Sequence, residues 1–274
     1  MSHASTWAIV PVKALGDAKQ RLAPVLPLEA RRKLMLVMLE DVLATLRQAE
    51  GLGPILVVTP DAAAAEIAET AGALILREAR GTGHSAAVVA GFAHARAHGA
   101  THALTLPADV PLATPHELYS LLDTCGSNAG RSAGLPSPLR GGVGGGGQSP
   151  SPRASPTSPR TPSARGEGRG EGRQHAPPFP LVTLVPSRDG DGTNAMLVSP
   201  PDAFTPSFGP GSFARHLADA AKQGLACRTL GLPGLGLDID EPADLDDLMR
   251  RTRTDPRYAF LAHHALLSAG AAEP

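Results

Sequence analysis

Between Trp7 and Glu117 the chain repeats one pattern, a short apolar run followed by a stretch of helical periodicity, and that pattern admits few folds. Trp7–Val12 reads as a strand, and after a basic loop Leu34, Met35, Met38, Val42 and Leu46 mark one face of a helix over Leu28–Glu50. Gly51 and Gly53 stop that helix, Ile55–Thr59 reads as a fully buried strand, and Asp61 is placed to cap an Ala-rich helix ending near Thr70. Leu74–Leu76, a helix from Gly83 to about His98, and Ala103–Leu106 continue the series, and Thr114-Pro-His-Glu117 is a capping-box signal for the next helix. Strand alternating with helix in this way predicts an α/β fold, a mostly parallel central sheet with helices on both faces.

The series is interrupted by Gly126–Pro178, 53 residues with 13 Gly, 9 Pro and 8 Ser, and with Leu135, Leu139 and Val143 as the larger aliphatics. Such a stretch buries too little apolar surface to offset its chain entropy, and we expect it to be disordered. It carries seven Arg against Glu167 and Glu171, so the remaining 221 residues, with 18 bases and 24 acids, are acidic although the whole chain is near neutral at −1. We therefore expect one domain formed by residues 1–125 and 179–274, with the insertion a surface loop whose two ends meet at a common edge. After it, Leu181–Val185, the turn Asp189–Gly192 and Ala195–Val198 read as strand, turn, strand. A helix over Ser212–Lys222, a strand near Arg228, and helices over Asp244–Arg251 and Ala259–Ser268 complete the chain.

Several classes are excluded. No apolar run approaches the ~18 residues that cross a bilayer, and Trp7–Val12 lacks a basic leader and a small-residue cleavage site, so a cytoplasmic protein with no membrane partner is expected. Cys125 and Cys227 form neither a disulfide framework nor a zinc knuckle. Near-zero charge gives no global steering toward nucleic acid. His94 and His98 have metal-ligand spacing but no acidic partner, and read as a solvated helix face. No Ser-His-Asp or Cys-His arrangement points to a covalent intermediate.

Chemistry is suggested where polar groups follow strands. Asp109 closes the strand Ala103–Leu106, and in open parallel sheets ligands bind beyond the carboxyl ends of strands. A capping Asp would look the same, but Asp238 and Asp240 alternate on a second extended segment, and three convergent carboxylates call for a hard cation such as Mg2+. Lys13, Lys19 and Arg21 follow the first strand and suit a polyphosphate, although Lys19 taken alone reads as a solvated loop residue. Gly81-Thr-Gly83-His84-Ser85 precedes a helix and lets backbone approach a base or phosphate, without matching a Walker loop or a dinucleotide fingerprint. Gly209 and Ser212 stand just ahead of a helix whose first amides are free for an anion, with Thr193 as a further donor, while Ser212 taken alone reads as an ordinary N-cap.

Val10-Pro-Val-Lys13 with Ala18-Lys-Gln-Arg-Leu-Ala-Pro24, Leu106-Pro-Ala-Asp-Val-Pro111, Asp191-Gly-Thr-Asn-Ala195, Phe208-Gly-Pro-Gly-Ser212 and Leu237-Asp-Ile-Asp-Glu-Pro242 together resemble the 2-phospho-L-lactate guanylyltransferase family. This family includes the phosphoenolpyruvate and 3-phosphoglycerate guanylyltransferases of coenzyme F-420 biosynthesis. The likeness spans nearly all 221 residues outside the insertion. Where the family usually has Gly-Leu-Asn before a helix, Gly83-His84-Ser85 stands here. The resemblance implies a glycosyltransferase-A-like nucleotidyltransferase that joins GMP from GTP to a small phosphorylated three-carbon acid and releases diphosphate. By the resemblance Thr193, Gly209 and Ser212 hold the acid, and with it the reading of the residues makes Lys13, Arg21 and Asp109 catalytic and Lys13, Lys19, Arg21, Gly83 and Ser85 nucleotide-binding. Asp109, Asp238 and Asp240 match magnesium ligands, and a homodimer is compatible. Two rival readings remain: a relative acting on a molybdenum cofactor or sugar phosphate, and an RNA-binding or scaffold protein working through the Arg/Gly-rich insertion.

Overall fold

The computed structural model describes residues 5–17, 19–78, 83–126 and 180–262. The first half forms the expected series: β1 (Thr6–Pro11), α1 (Leu28–Gln48), β2 (Leu52–Thr59), α2 (Ala62–Thr70), β3 (Leu74–Arg77), α3 (His84–Ala97), β4 (His102–Thr105) and α4 (Pro115–Gly126). The second half adds β5 (Leu181–Pro186), β6 (Thr193–Ser199), α5 (Ser212–Lys222), β7 (Ala226–Thr229) and α6 (Pro242–Thr252). The strands form one sheet in the order β3-β2-β1-β4-β6-β5-β7, in which β6 pairs antiparallel with both β4 and β5 while the other pairings are parallel. The sheet is thus mostly parallel, and β5–β6 is the expected strand-turn-strand unit.

Each element follows from its residues. All six positions of β1 are buried, as a central strand covered on both faces requires. Leu39, Val42, Leu43 and Leu46 of α1 pack on one face of the sheet with α2 and α4, and α3 and α5 cover the other. Helix α3 lies so close to β1 that a Cβ on Gly91 would meet Ile9 Cγ2 at 2.3 Å, which only glycine tolerates. Asp61 caps α2 by accepting from Ala63 N and Ala64 N, and Thr114 and Glu117 form the capping box of α4. Leu22, Leu34, Met38, Ile239, Leu248 and Tyr258 form a smaller core that anchors α6 and the segment before it to α1.

Some boundaries differ from the sequence reading. Asp238–Asp240 lies in an irregular segment outside the sheet, although Ile239 is buried and its two neighbours are half-exposed, so the alternation holds. Gly126 ends α4, and the remainder of the insertion, with its expected disorder and any RNA-binding role, lies outside the described residues. Its flanks do come together: Thr124 Oγ1 and Thr183 Oγ1 are 2.9 Å apart, beside the edge strand β7. A 3-10 turn at Pro256–Tyr258 runs into helical residues to 262, so only the start of the helix expected over Ala259–Ser268 is described. Among the described residues no helix is long and apolar enough to cross a membrane.

Candidate active site

The strand order creates the site. β1 and β4 are parallel neighbours whose chain continuations leave in opposite directions along the sheet, a switch point beyond whose carboxyl ends open sheets of this kind bind ligands. Lys13 and Lys19 follow β1, and Asp109 follows β4. Because β6 runs against its neighbours, its first residues, Thr193 and Asn194, arrive at this same rim. Ile239 N donates to Asp109 O at 3.0 Å, which brings the third segment alongside. Glu117 Oε1 accepts from Gly234 N at 2.6 Å and holds the turn leading into Asp238.

The three aspartates lie close enough that the charges of Asp109 and Asp240 both act on Asp238. Burial, followed by the charges of Asp109 and then Asp240, raises the Asp238 pKa, and a 3.1 Å hydrogen bond from Asn194 Nδ2 partly opposes this. Two of them hold a protein-derived cation: Lys19 Nζ donates to Asp109 Oδ2 and, at 2.6 Å, to Asp240 Oδ1. Lys19 is therefore not the solvated loop residue it resembles in isolation, since its side chain is 5% exposed. Burial disfavours its charge, but Asp109 and Asp240 outweigh that and hold its pKa above the ordinary value. Asp109 Oδ1 is buried without a partner among the described residues. Among the described residues no three His, Cys, Asp or Glu side chains already form a metal cage.

The other expected residues surround this cluster. Lys13 is exposed, and Arg21, 69% exposed, pairs with Glu241 at 3.3 Å beside Asp240. Gly83 takes φ 86° and precedes α3, where Ser85 Oγ accepts from Phe208 N at 2.9 Å. Gly209 and Gly211 take φ values of 126° and 67°, positions that favour glycine, and Asp191 Oδ2 accepts from Gly211 N at 2.8 Å. Ser212 is not the N-cap of α5. That position is Gly211, and Ser212, 1% exposed, instead accepts from Thr193 N at 3.1 Å through its Oγ. Far from this rim, the His94 and His98 rings stack on each other at 4.2 Å beside Trp7.

Two histidines at the site were not singled out from sequence as site residues. His84, the first residue of α3, packs edge-on against Phe208 at 4.7 Å, and burial lowers its pKa to about 4 against the nearby charge of Asp109 and with that of Lys13. His216 is fully buried beneath the turn Phe208–Ser212. Its signal in the sequence is its position one helical turn after Ser212, on the same face.

Comparison with known proteins agrees with this geometry. Residues 25–141 match the family model for a MobA-like NTP transferase domain, and residues 180–266 match that for guanylyl transferase CofC like. The phosphoenolpyruvate guanylyltransferase of Conexibacter woesei is 36% identical over 244 residues, covering 89% of this chain and 87% of that protein. The phosphoenolpyruvate guanylyltransferase of Rubrobacter xylanophilus is 35% identical over 88% of this chain and 92% of its own. A solved structure from Desulfovibrio desulfuricans G20, described as a nucleotide-diphospho-sugar transferase, covers 97% of each chain with a TM-score of 0.62 at 13% identity. That likeness shows the fold, the glycosyltransferase-A-like α/β type.

Proposed function

Because this chain belongs to the CofC-like guanylyl transferase family and is a nucleotidyltransferase, we propose that it transfers GMP from GTP to a small phosphorylated three-carbon acid. The acid is phosphoenolpyruvate, 2-phospholactate or 3-phosphoglycerate, and the cytoplasmic reaction serves coenzyme F-420 biosynthesis. A phosphate oxygen of the acid attacks the α-phosphorus of GTP. A phosphoanhydride bond forms, the bond from the α-phosphorus to the oxygen bridging to the β-phosphorus breaks, and diphosphate leaves. The attacking phosphate is ionised at neutral pH, so no general base is needed and the protein's task is positioning and charge neutralisation.

One observation carries this reading: consecutive residues of β6 reach two different groups of side chains, which we read as two subsites. Thr193 N donates to Ser212 Oγ at the acid-binding turn, and Asn194 Nδ2 donates to Asp238 in the carboxylate cluster. Alternation along a strand sends the two side chains to opposite sides, so one strand start tethers both subsites at the rim. Thr193, Gly209 and Ser212 hold the acid, and Lys13, Lys19 and Arg21 hold the triphosphate, with Gly83 and Ser85 at the nucleoside. The donor set fits magnesium, since hard carboxylates stand together, Asp109 Oδ1 has no partner among the described residues, and a lysine ammonium stands between two of them. Asp109, Asp238 and Asp240 would hold it, and bound there it would offset the repulsion between two anions.

The test is incubation of the protein with GTP, magnesium and each of the three acids, with product masses read out and CTP as the control nucleotide. The reading expects a guanylylated acid and diphosphate from GTP. Product from CTP, or from a sugar phosphate in place of the acids, would instead favour the related transferases.

A further inference from the structure

Helix α5 carries Ser212 and His216 on one face, one turn apart, and presents both to Thr193 at the start of β6. His216 is fully buried, with the Phe204 and Phe208 rings edge-on at 5.8 and 5.2 Å. Its Nε2 accepts from Ser207 N at 2.9 Å, and a ring nitrogen that accepts from an amide carries no proton. The neutral ring therefore has its proton on Nδ1, which lies 2.9 Å from Thr193 Oγ1. Nδ1–H donates, Thr193 Oγ1 accepts, and the threonine's own proton must point elsewhere.

Ser212 is constrained in the same sense. Its Oγ accepts from Thr193 N, which leaves its proton free. Among the described residues neither hydroxyl has an acceptor for its proton. The accepting side of each oxygen is thus occupied by a protein donor, and each O–H bond is left to donate to a group outside the described residues.

We propose that His216 is a positioning residue that fixes the Thr193 hydroxyl as a hydrogen-bond donor to an anionic oxygen of the acceptor acid. This rests on the assignment of the turn to the acid. Through Ser207 N the same ring also sets the backbone entering Phe208 and Gly209, so one imidazole aligns the hydroxyl and the turn opposite it. Burial and the neighbouring charge of Arg215 keep the ring neutral, with a pKa of about 4 despite Asp219. Protonation would aim Nε2–H at Ser207 N–H, donor against donor.

The first test needs no variant. Two-bond 1H–15N correlation spectra of the unmodified protein at neutral pH are expected to show His216 as the Nδ1–H tautomer, and the Nε2–H tautomer would overturn the proposal. The second is kinetic. His216→Phe keeps an aromatic ring in place but removes the donor, and the acceptor KM should rise roughly tenfold, the scale of one hydrogen bond to a charged group, with the GTP KM little changed. His216→Asn, which can still donate from near the Nδ1 position, should recover most of the loss. In a Thr193→Val background His216→Phe should add little. Equal effects on both KM values, or full additivity with Thr193→Val, would overturn the positioning role alone. A protein with the Nδ1–H tautomer that forms no product with any of the three acids would overturn the functional reading, and the role with it.

Discussion

Lys19 Nζ donates to Asp240 Oδ1 at 2.6 Å across 221 positions of sequence, and this one bond closes the loop after β1 onto the segment before α6. The same ammonium also pairs with Asp109. A nearly buried lysine between carboxylates from two distant segments neutralises a cluster whose members otherwise repel, as the raised pKa of Asp238 records.

Lys19→Met should therefore unfold more easily in the absence of divalent cation. The cost is about 1–3 kcal/mol, below that of breaking a fully buried pair because the Asp240 side chain is 44% exposed. Magnesium should restore more stability to the variant than it adds to the unmodified protein, measured by thermal denaturation with and without the ion. An equal gain in both would count against a shared place for Lys19 and the metal.

Asp109→Asn should lower turnover by roughly a hundredfold or more while the far-ultraviolet circular dichroism stays unchanged. The backbone carbonyl of Asp109 that accepts from Ile239 N is untouched by the change, so the segment stays in place. Near-normal turnover would remove Asp109 from the reacting cluster.

Ser212→Ala removes the oxygen that accepts from Thr193 N and leaves that buried amide unpaired, at a cost of about 1–2 kcal/mol. Steady-state kinetics should show the acceptor KM rising more than that of GTP. Equal effects on the two would point to a purely structural hydroxyl.

His84 and His216 both have pKa values lowered to about 4 by burial, against 6.5 for a free imidazole. Between these values the unfolded chain binds protons that the folded protein refuses, so stability is full above pH 6.5 and falls as pH drops toward 4. Urea midpoints measured from pH 7 to 4.5 should show this decline, and His216→Asn should flatten it. A midpoint independent of pH in that window would contradict the neutral, buried state of both rings.

The parallel framework was legible because its signals are local. Alternating strand and helix periods, the Asp61 cap and the Thr114–Glu117 box are written within a few residues each, and Asp109 could be placed because it ends a recognisable strand. The carboxylate segment was legible as an alternation around Ile239, though not as an irregular stretch outside the sheet. Lys19 was harder. Its neighbours read as a polar loop, and its burial comes from carboxylates 90 and 221 positions away. Ser212 looked like a cap because Ser before a helix usually is one, whereas here glycine takes that role and the hydroxyl turns to β6. His216 reads in the sequence only as part of a helix, since nothing local reveals which two groups its ring nitrogens meet.

The most direct measurement of the central claim, that one crevice aligns an acid's phosphate with the α-phosphorus of GTP, uses phosphoenolpyruvate labelled with 18O in its phosphate group. Mass spectrometry after reaction with GTP and magnesium should find the label wholly in the guanylylated acid and the released diphosphate unlabelled. Label in the diphosphate, or release of diphosphate with GMP unattached to the acid, would contradict the account.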